Sequence, residues 1–468
     1  MDSSIPPILR LATGHGLCIA CAVLLYLVGV PAAVAQAEAS NDPRWQFDGN
    51  LRVRWETLED SFRLAAPDRD ELMLTRLDLA LQYDAQRWFG RVEVQDSRAW
   101  GDKMLSPLGT DDVNTLEPVA AHLGLRWASD GMLNGAWILR AGRMTIDYGS
   151  RRLLARNRFR NTSNAFQGVR VSFEREASQS EVFYTYPLQR QPTLLDGDKL
   201  RENEFTLDKA GRSERFWGFS HDWQLPDGGV DMAVYFFASE LSDRPGRPVA
   251  DRRLRTLGAR LLDSSPRWEW EFEGAYQWGR SRKSAVDTAS PLDHEAWFVH
   301  AHAGLTLRDG LSLQLVWDGA SGDRNPQDSK NQRFDRLYGA RAFELGPSGI
   351  FGAGIRSNLR SPAVRLRWRP GTEHQFLVSL RQLSLDSARD QAPSALRVDA
   401  SGLSGRDLGR QWELRWRWQP AAQSWATEIG AAYLDKGAYF SSTNPDATLN
   451  PAAPSNSRYL FAQVNWRF

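Results

Sequence analysis

The sequence predicts an all-β protein, a transmembrane antiparallel β-barrel of about eighteen strands. Three observations support this prediction. Apolar and polar residues alternate with period two along most of the chain, the alternating segments are long enough to cross a bilayer, and short turns alternate with long loops between them.

The composition excludes several classes of protein. The chain has 468 residues with Lys+Arg 58 and Asp+Glu 57, so bulk charge gives no reason to expect a nucleic-acid partner. Its 19 Trp, 21 Phe and 11 Tyr are too many aromatic residues for a disordered chain. Cys18 and Cys21 both lie in the first apolar run, so we expect no disulfide, catalytic thiol or cysteine-bound metal in the mature chain.

The first apolar run, Gly16–Ala35, has the features of an export signal. It ends in Ala33-Val34-Ala35, a small-x-small cleavage pattern. We therefore expect residues 1–35 to be a cleaved signal peptide and residues 36–468 to form one outer-membrane barrel in a Gram-negative cell. The alternative is an N-terminal membrane anchor, because about 20 apolar residues can just span a bilayer.

Eighteen segments alternate as strands do, as in Trp268–Trp278, where tryptophans share one face and glutamates the other. The predicted strands are 44–58, 71–84, 86–99, 117–129, 134–145, 164–175, 179–187, 213–224, 229–240, 252–262, 267–279, 295–307, 311–320, 359–369, 373–385, 408–418, 424–435 and 457–468. Short turns follow even-numbered strands and long loops follow odd-numbered ones. This pattern predicts periplasmic turns and extracellular loops. The longest loop, 321–358, carries apolar residues and is predicted to fold inward.

The last segment, Tyr459–Phe468, ends on an aromatic residue, as do the strands recognised by the barrel-assembly machinery. We therefore expect that machinery, together with outer-membrane lipid and lipopolysaccharide, among the partners. An arginine facing lipid at the midplane costs about 2–4 kcal/mol, so the apolar faces should point outward and the charged faces into the lumen. Trp268, Trp270, Trp412, Trp416, Trp418 and Trp466 are accordingly expected to face lipid.

The charged lumen is the predicted functional site. Strands 1–6 and 14–16 are rich in inward arginines, and strand 11 is acidic, so an arginine wall is expected to face an acidic patch. Guanidinium groups can hold carboxylates through two parallel hydrogen bonds, which favours an anion-selective channel. The predicted substrate-binding residues are Arg52, Arg54, Arg76, Arg126, Arg143, Arg152, Arg170, Arg365, Arg367 and Arg415. The alternative is a general porin whose charged side chains only solvate a wide pore.

The segment Leu139–Gly168 resembles the alginate-export family of outer-membrane barrels. The matching residues are Gly142, Arg143, Tyr148, Gly149, Arg152, Leu153, Asn161, Thr162, Phe166 and Gly168. The resemblance implies an eighteen-stranded barrel with an electropositive constriction that conducts a polyuronate outward. An anionic saccharide and periplasmic export proteins are the candidate partners of such a channel. An uptake porin for other small solutes remains the alternative.

The same segment carries a basic run. Its members are Arg143, Arg151, Arg152, Arg156, Arg158 and Arg160. Three interpretations stay open: the run filters anions in the lumen, binds lipopolysaccharide phosphates outside, or is a solvated loop.

We expect no enzymatic activity, no cofactor and no metal site. The sequence contains no nucleophile elbow, zinc-binding helix or Gly-rich phosphate loop. His300 and His302 share a luminal face and are expected to be neutral polar pore residues, with a metal pair as the alternative. The loop triplets Asp196-Gly197-Asp198 and Asp323-Arg324-Asn325 could bind Ca²⁺, but both are also ordinary turn sequences.

Overall fold

In the computed structural model, the chain forms a closed antiparallel barrel of eighteen long strands. The structure describes residues 44–63, 66–129, 131, 134–225, 230–243, 249–286, 289–340, 344–393, 397–441 and 455–468. The predicted signal peptide and its alternative, the membrane anchor, lie outside these residues. No helix in the described residues is long and apolar enough to cross a bilayer.

The barrel strands are β1 (Arg44–Glu59), β2 (Arg69–Asp84), β3 (Trp88–Trp100), β4 (Asn114–Ser129), β5 (Gly135–Met144), β6 (Phe166–Arg175), β7 (Ser178–Gln189), β8 (Glu214–Gln224), β9 (Val230–Leu241), β10 (Arg252–Ser264), β11 (Trp268–Arg282), β12 (Pro291–Arg308), β13 (Leu311–Ala320), β14 (Leu359–Trp368), β15 (His374–Ser384), β16 (Asp407–Trp418), β17 (Trp425–Lys436) and β18 (Ser457–Arg467). Each pairs with its neighbour in the chain, and β18 pairs with β1 to close the ring.

Smaller elements lie in the loops. Helix α1 spans Gly197–Arg201 and helix α2 spans Ala438–Ser441. Two-residue strands at Lys209–Ala210 and Lys330–Asn331 pair with β7 and β12.

The predicted fold class is confirmed, and each predicted segment overlaps one observed strand. The strand ends differ most where a loop pairs with the strand. Strand β12 begins at Pro291, four residues before the predicted start, because these four residues pair with the end of β11, and Lys330–Asn331 pairs with them on the other side.

The predicted orientation of the faces is confirmed for the tryptophans. Trp268 is 54% exposed and Trp412 is 49% exposed, and both lie on the outward-facing rows of their strands. Trp270, Trp416, Trp418 and Trp466 lie on the same outward rows. Aromatic residues in these positions form the girdles that anchor a barrel in lipid.

The inward face is less uniformly charged than predicted. Toward the extracellular end, Phe183, Phe216, Phe237 and Phe298 point inward and are almost completely buried. They pack with Phe334 from the loop after β13 and with Leu154 from the loop after β5. The loops that enter the barrel therefore cover these inward phenylalanines and remove them from water.

Candidate functional site

The loop between β5 and β6, residues 145–165, enters the lumen and is named here the inner loop. Arginines of β1 donate hydrogen bonds to its backbone: Arg52 Nη1 lies 3.0 Å and Arg54 Nη2 lies 2.6 Å from the carbonyl oxygen of Phe159. The Arg54 guanidinium also lies 4.0 Å from the centre of the Phe159 ring. On β2, Arg76 Nη1 lies 3.2 Å from the carbonyl oxygen of Arg160. One side of the inner loop is therefore attached to the wall formed by β1 and β2.

The other side of the inner loop is attached to β11, across the ring from β1. Arg152 Nη1 lies 2.6 Å from Glu271 Oε1 and 2.6 Å from Glu273 Oε2. Its Nη2 lies 2.7 Å from Glu344 Oε1. Burial lowers the pKa of Arg152, but Glu271 and Glu273 outweigh burial and hold that pKa above its usual value. The inner loop thus crosses the lumen with a permanently charged arginine at its β11 end.

Part of the loop between β13 and β14, residues 321–358, also lies inside the barrel, where Phe334, Ile350 and Phe351 are buried, and this confirms its predicted inward fold. It is named here the long loop. The backbone N–H of Ile350 donates to Glu56 Oε2 of β1 at 3.0 Å. The carbonyl oxygen of Glu344 accepts from Arg365 of β14 and Arg381 of β15. A backbone bridge between Leu154 and Tyr338 joins the two loops.

Below these loops, toward the short turns, the lumen contains a cavity of about 510 Å³, named here the vestibule. Its position next to Asp263 and Arg369, at the ends of β10 and β14, places it on the periplasmic side. The basic residues in its lining are Arg151, Arg152, Arg365, Arg367, Arg369, Arg415 and Arg417. The acidic ones are Asp263, Glu269, Glu271, Glu344 and Glu428.

The arginines of β14 and β16 form two rungs in the vestibule. Arg367 pairs in register with Leu377 of β15, and Leu377 pairs with Arg415 of β16, so these two arginines lie at one level. Arg417 lies one inward position nearer the periplasm on β16, and Arg369, which follows the last residue of β14, lines the cavity at the same end. Strands are about 4.8 Å apart, so the two arginines of a rung have Cα atoms about 10 Å apart. Within the described chain, Arg369 and Arg417 form no ion pair, and Arg417 donates to Gln419 Oε1 at 3.0 Å.

The ten predicted binding residues divide into two groups. Arg152, Arg365, Arg367 and Arg415 line the vestibule. The other six are outside its lining, so the ten arginines do not form one wall of this cavity. Arg52, Arg54 and Arg76 are buried against the inner loop. Arg126 pairs with Asp84, Arg143 with Glu117 and Arg170 with Glu181.

The expected acidic patch on β11 does not face the arginines across open lumen. Glu271 and Glu273 are bound by Arg152, and Glu269 is bound by Arg367. The acids of β11 therefore hold the inner loop and one rung of the vestibule in place.

Three vestibule arginines were not among the predicted binding residues. Arg369 follows the last residue of β14, and Arg151 adjoins Arg152 in the inner loop. Arg417, the third, lies on the inward row of β16. The period-two row Arg365, Arg367, Arg369 was visible in the sequence, but Arg369 falls in a turn, where strand alternation gives no direction.

Three arginines of the basic run, all in the inner loop, point into the lumen. Arg156 pairs with Glu93 and Asp78, Arg160 is buried, and Arg152 contacts β11. Arg158 is 68% exposed by side chain. Half of the six arginines therefore lie in the lumen and contact the barrel wall or the loop itself, and anion filtering by the run stays a prediction.

Among the described residues, two groups of side chains have the spacing of a metal site. One is Glu271, His300 and His302, and the other is His300, Asp318 and Glu344. Both His300 and His302 point inward, as predicted, and line the vestibule. The two loop triplets considered for Ca²⁺ are not part of either group.

The family model for alginate export matches residues 44–452, which is nearly the whole chain. The protein belongs to the alginate export family. The resemblance seen in Leu139–Gly168 is therefore confirmed. No curated protein is significantly similar in sequence.

Solved outer-membrane structures share the fold. OpdK from Pseudomonas aeruginosa is 11% identical with a TM-score of 0.57, over 91% of this chain and 98% of that chain. OccAB2 from Acinetobacter baumannii is 12% identical with a TM-score of 0.56, over 91% and 98%. OpdO from Pseudomonas aeruginosa is 13% identical with a TM-score of 0.52, over 91% and 97%. Together, family and fold identify this alginate-export barrel as an outer-membrane channel, a class of protein that is not enzymatic.

Proposed function

We propose that this alginate-export barrel passes anionic solutes, with a polyuronate or another anionic saccharide as its preferred substrate. The observation that carries the proposal is the pair Arg369 and Arg417, which line the vestibule without an ion-pair partner in the described chain. A guanidinium group binds a carboxylate through two parallel, charge-assisted hydrogen bonds. Two such groups at the periplasmic end offer successive uronate units a place to bind.

The remaining vestibule arginines have a weaker role in this proposal. Arg367 is neutralised by Glu269, and Arg415 lies 2.8 Å from Glu413 Oε1. Arg365 is buried and donates to the long loop, so its contribution to solute binding is indirect. Solute anions are expected to meet Arg369 and Arg417 first and the compensated rung afterwards. This decrease in uncompensated positive charge lets an anion enter the pore without being bound too tightly to leave, and conduction requires both.

Current block by sugars tests the proposal. Oligouronates added to the periplasmic side should block the wild-type small-ion current more strongly than neutral oligosaccharides of equal length. The double variant Arg369→Ser, Arg417→Ser should lose this difference. The control is Arg253→Ser, Arg280→Ser, which removes the same charge from outward-facing positions of β10 and β11. Equal block by both sugars in the wild type, or an equal loss in the control, would contradict the proposal.

A second candidate is an uptake porin for small anions. The observation that favours it is the inner loop, which crosses the lumen and is attached at both walls. The vestibule of about 510 Å³ has the size of a small-molecule site. Length dependence separates the candidates: block that strengthens with each added uronate unit supports a polymer path, and block that is already maximal for a monomer supports small anions.

The proposal also includes the route to the membrane. We propose that residues 1–35 direct export and are removed, and that the barrel-assembly machinery recognises the strand ending in Phe468. The outward row of β18, with Leu460 and Trp466 exposed, supports the second point. Periplasmic export partners that deliver a polyuronate to the vestibule remain part of the polymer hypothesis.

A further inference from the structure

We propose that Glu271, His300 and His302 bind one divalent transition-metal ion, such as Zn²⁺, on the wall of the vestibule. His300 and His302 occupy successive inward positions of β12, and Glu271 of β11 pairs in register with His302. The three side chains therefore enter the lumen side by side from two neighbouring strands. All three line the vestibule, so an ion can reach them from that cavity.

The distances between the ligand atoms suit a small cation. His300 Nε2 lies 3.2 Å from His302 Nδ1, and His302 Nδ1 lies 3.9 Å from Glu271 Oε2. Ligand atoms of all three residues lie within 4.8 Å of one another. Zinc binds histidine nitrogen at about 2.0–2.1 Å, so two nitrogens in a tetrahedral site lie about 3.3 Å apart. The histidine pair already has this spacing.

The orientation of His300 is set by a buried carboxylate. Its Nδ1 lies 2.7 Å from Asp318 Oδ1, and both side chains are 1% exposed. Asp318 Oδ2 accepts in turn from Arg381 Nη1 at 2.9 Å. An ionised Asp318 accepts a hydrogen bond from Nδ1–H of His300, which leaves the lone pair of Nε2 directed toward His302. Histidines that bind metals are commonly held in this way by a carboxylate on the other ring nitrogen.

Arg152 competes with the ion for Glu271. Its Nη2 lies 2.9 Å from Glu271 Oε2, the oxygen nearest His302. Binding of a cation should therefore weaken one contact of the inner loop with β11, while Arg152 keeps Glu273 and Glu344 as partners. This competition limits the affinity, and the two nitrogen ligands favour transition metals over Ca²⁺ and Mg²⁺.

The test is calorimetric titration of ZnCl₂ into the tag-free full barrel, refolded in detergent after treatment with a chelator. The wild type should bind one ion per chain, and excess Mg²⁺ or Ca²⁺ should not displace it. His302→Ala should weaken binding at least tenfold. His221→Ala is the matched control, because His221 lies on the outward row of β8 and hydrogen-bonds to Ser180.

His302→Ala leaves the hydrogen bond between His300 and Asp318 intact. If the alanine variant does not fold, His302→Gln is measured in its place. Folding is checked by the heat-dependent mobility of the barrel on a gel. Absence of saturable Zn²⁺ binding in the wild type, unchanged binding in the folded His302 variant, or an equal loss in His221→Ala would overturn the proposal. None of these results bears on anion selectivity, so the channel hypothesis is tested separately.

Discussion

On β1 and β2, Arg52, Arg54 and Arg76 are buried and donate to the backbone of the inner loop. On β14 and β16, arginines with the same strand alternation line the vestibule instead. The difference comes from the loops. The inner loop brings carbonyl oxygens onto the wall formed by β1 and β2, which is the first wall. On the second wall, formed by β14 and β16, Arg369 and Arg417 lie beyond the reach of these carbonyls, near the periplasmic turns. An inward arginine row is therefore structural or solute-facing according to the loop that covers it.

The largest effect is expected at the first wall. Arg54→Ala removes a guanidinium that is 1% exposed and lies 3.0 Å from Glu56, which is fully buried. Leaving the partner of a buried ion pair uncompensated costs about 3–5 kcal/mol. We expect the free energy of unfolding, measured by urea titration in lipid vesicles, to fall by an amount of this order.

Arg369→Ala is the matched change at the second wall and should leave the unfolding free energy nearly unchanged. Its side chain is exposed and forms no ion pair within the described chain. If both variants lost similar stability, the division into a structural wall and a solute-facing wall would be wrong.

The sequence predicted the strands well because lipid on one side and water on the other impose period two on every strand. The attachment of the inner loop was not predictable in the same way. Arg52 and Arg54 bind carbonyl oxygens of Phe159 and Arg160, and every residue type carries such an oxygen. Arg367 lines the vestibule, as its strand alternation predicts, because the short turns leave its end of the barrel uncovered.

The second prediction concerns the β11 end of the inner loop. Arg152→Met should leave Glu271, Glu273 and Glu344 without this cation and detach the loop from β11. Single-channel recordings should show a larger conductance and a shift toward cations. Arg158→Met, at a side chain that is 68% exposed, should change neither property. Unchanged conductance in Arg152→Met would mean that the loop stays in place without this contact.

The third prediction compares how the free energy of unfolding and the ion selectivity depend on pH. Burial raises the pKa of Asp112, in the loop before β4, to about 7, with Asp111 and Glu56 adding to the effect. The folded state holds this proton more tightly than the unfolded state, so its stabilising effect is present below about pH 4 and is lost as pH rises to about 7. The loss is at most about 1.4 kcal/mol per pH unit.

Asp112→Asn should remove this part of the pH dependence, measured by urea titrations across the window. Ion selectivity of the wild type should stay constant from about pH 5 to about 7, because guanidinium groups remain charged and ordinary carboxyl groups, with a pKa of about 4, are largely ionised above about pH 5. A wild-type stability that does not fall more steeply than that of Asp112→Asn would contradict the prediction.

The reversal potential under a salt gradient tests the central claim most directly. At about 0.01 M salt the Debye length is about 30 Å, so charges in the vestibule act on passing ions with little screening. The account predicts that the wild type prefers anions, that Arg369→Ser, Arg417→Ser shifts the potential toward cations, and that Arg253→Ser, Arg280→Ser does not. A wild-type channel that prefers cations, or a vestibule double variant with an unchanged potential, would contradict it.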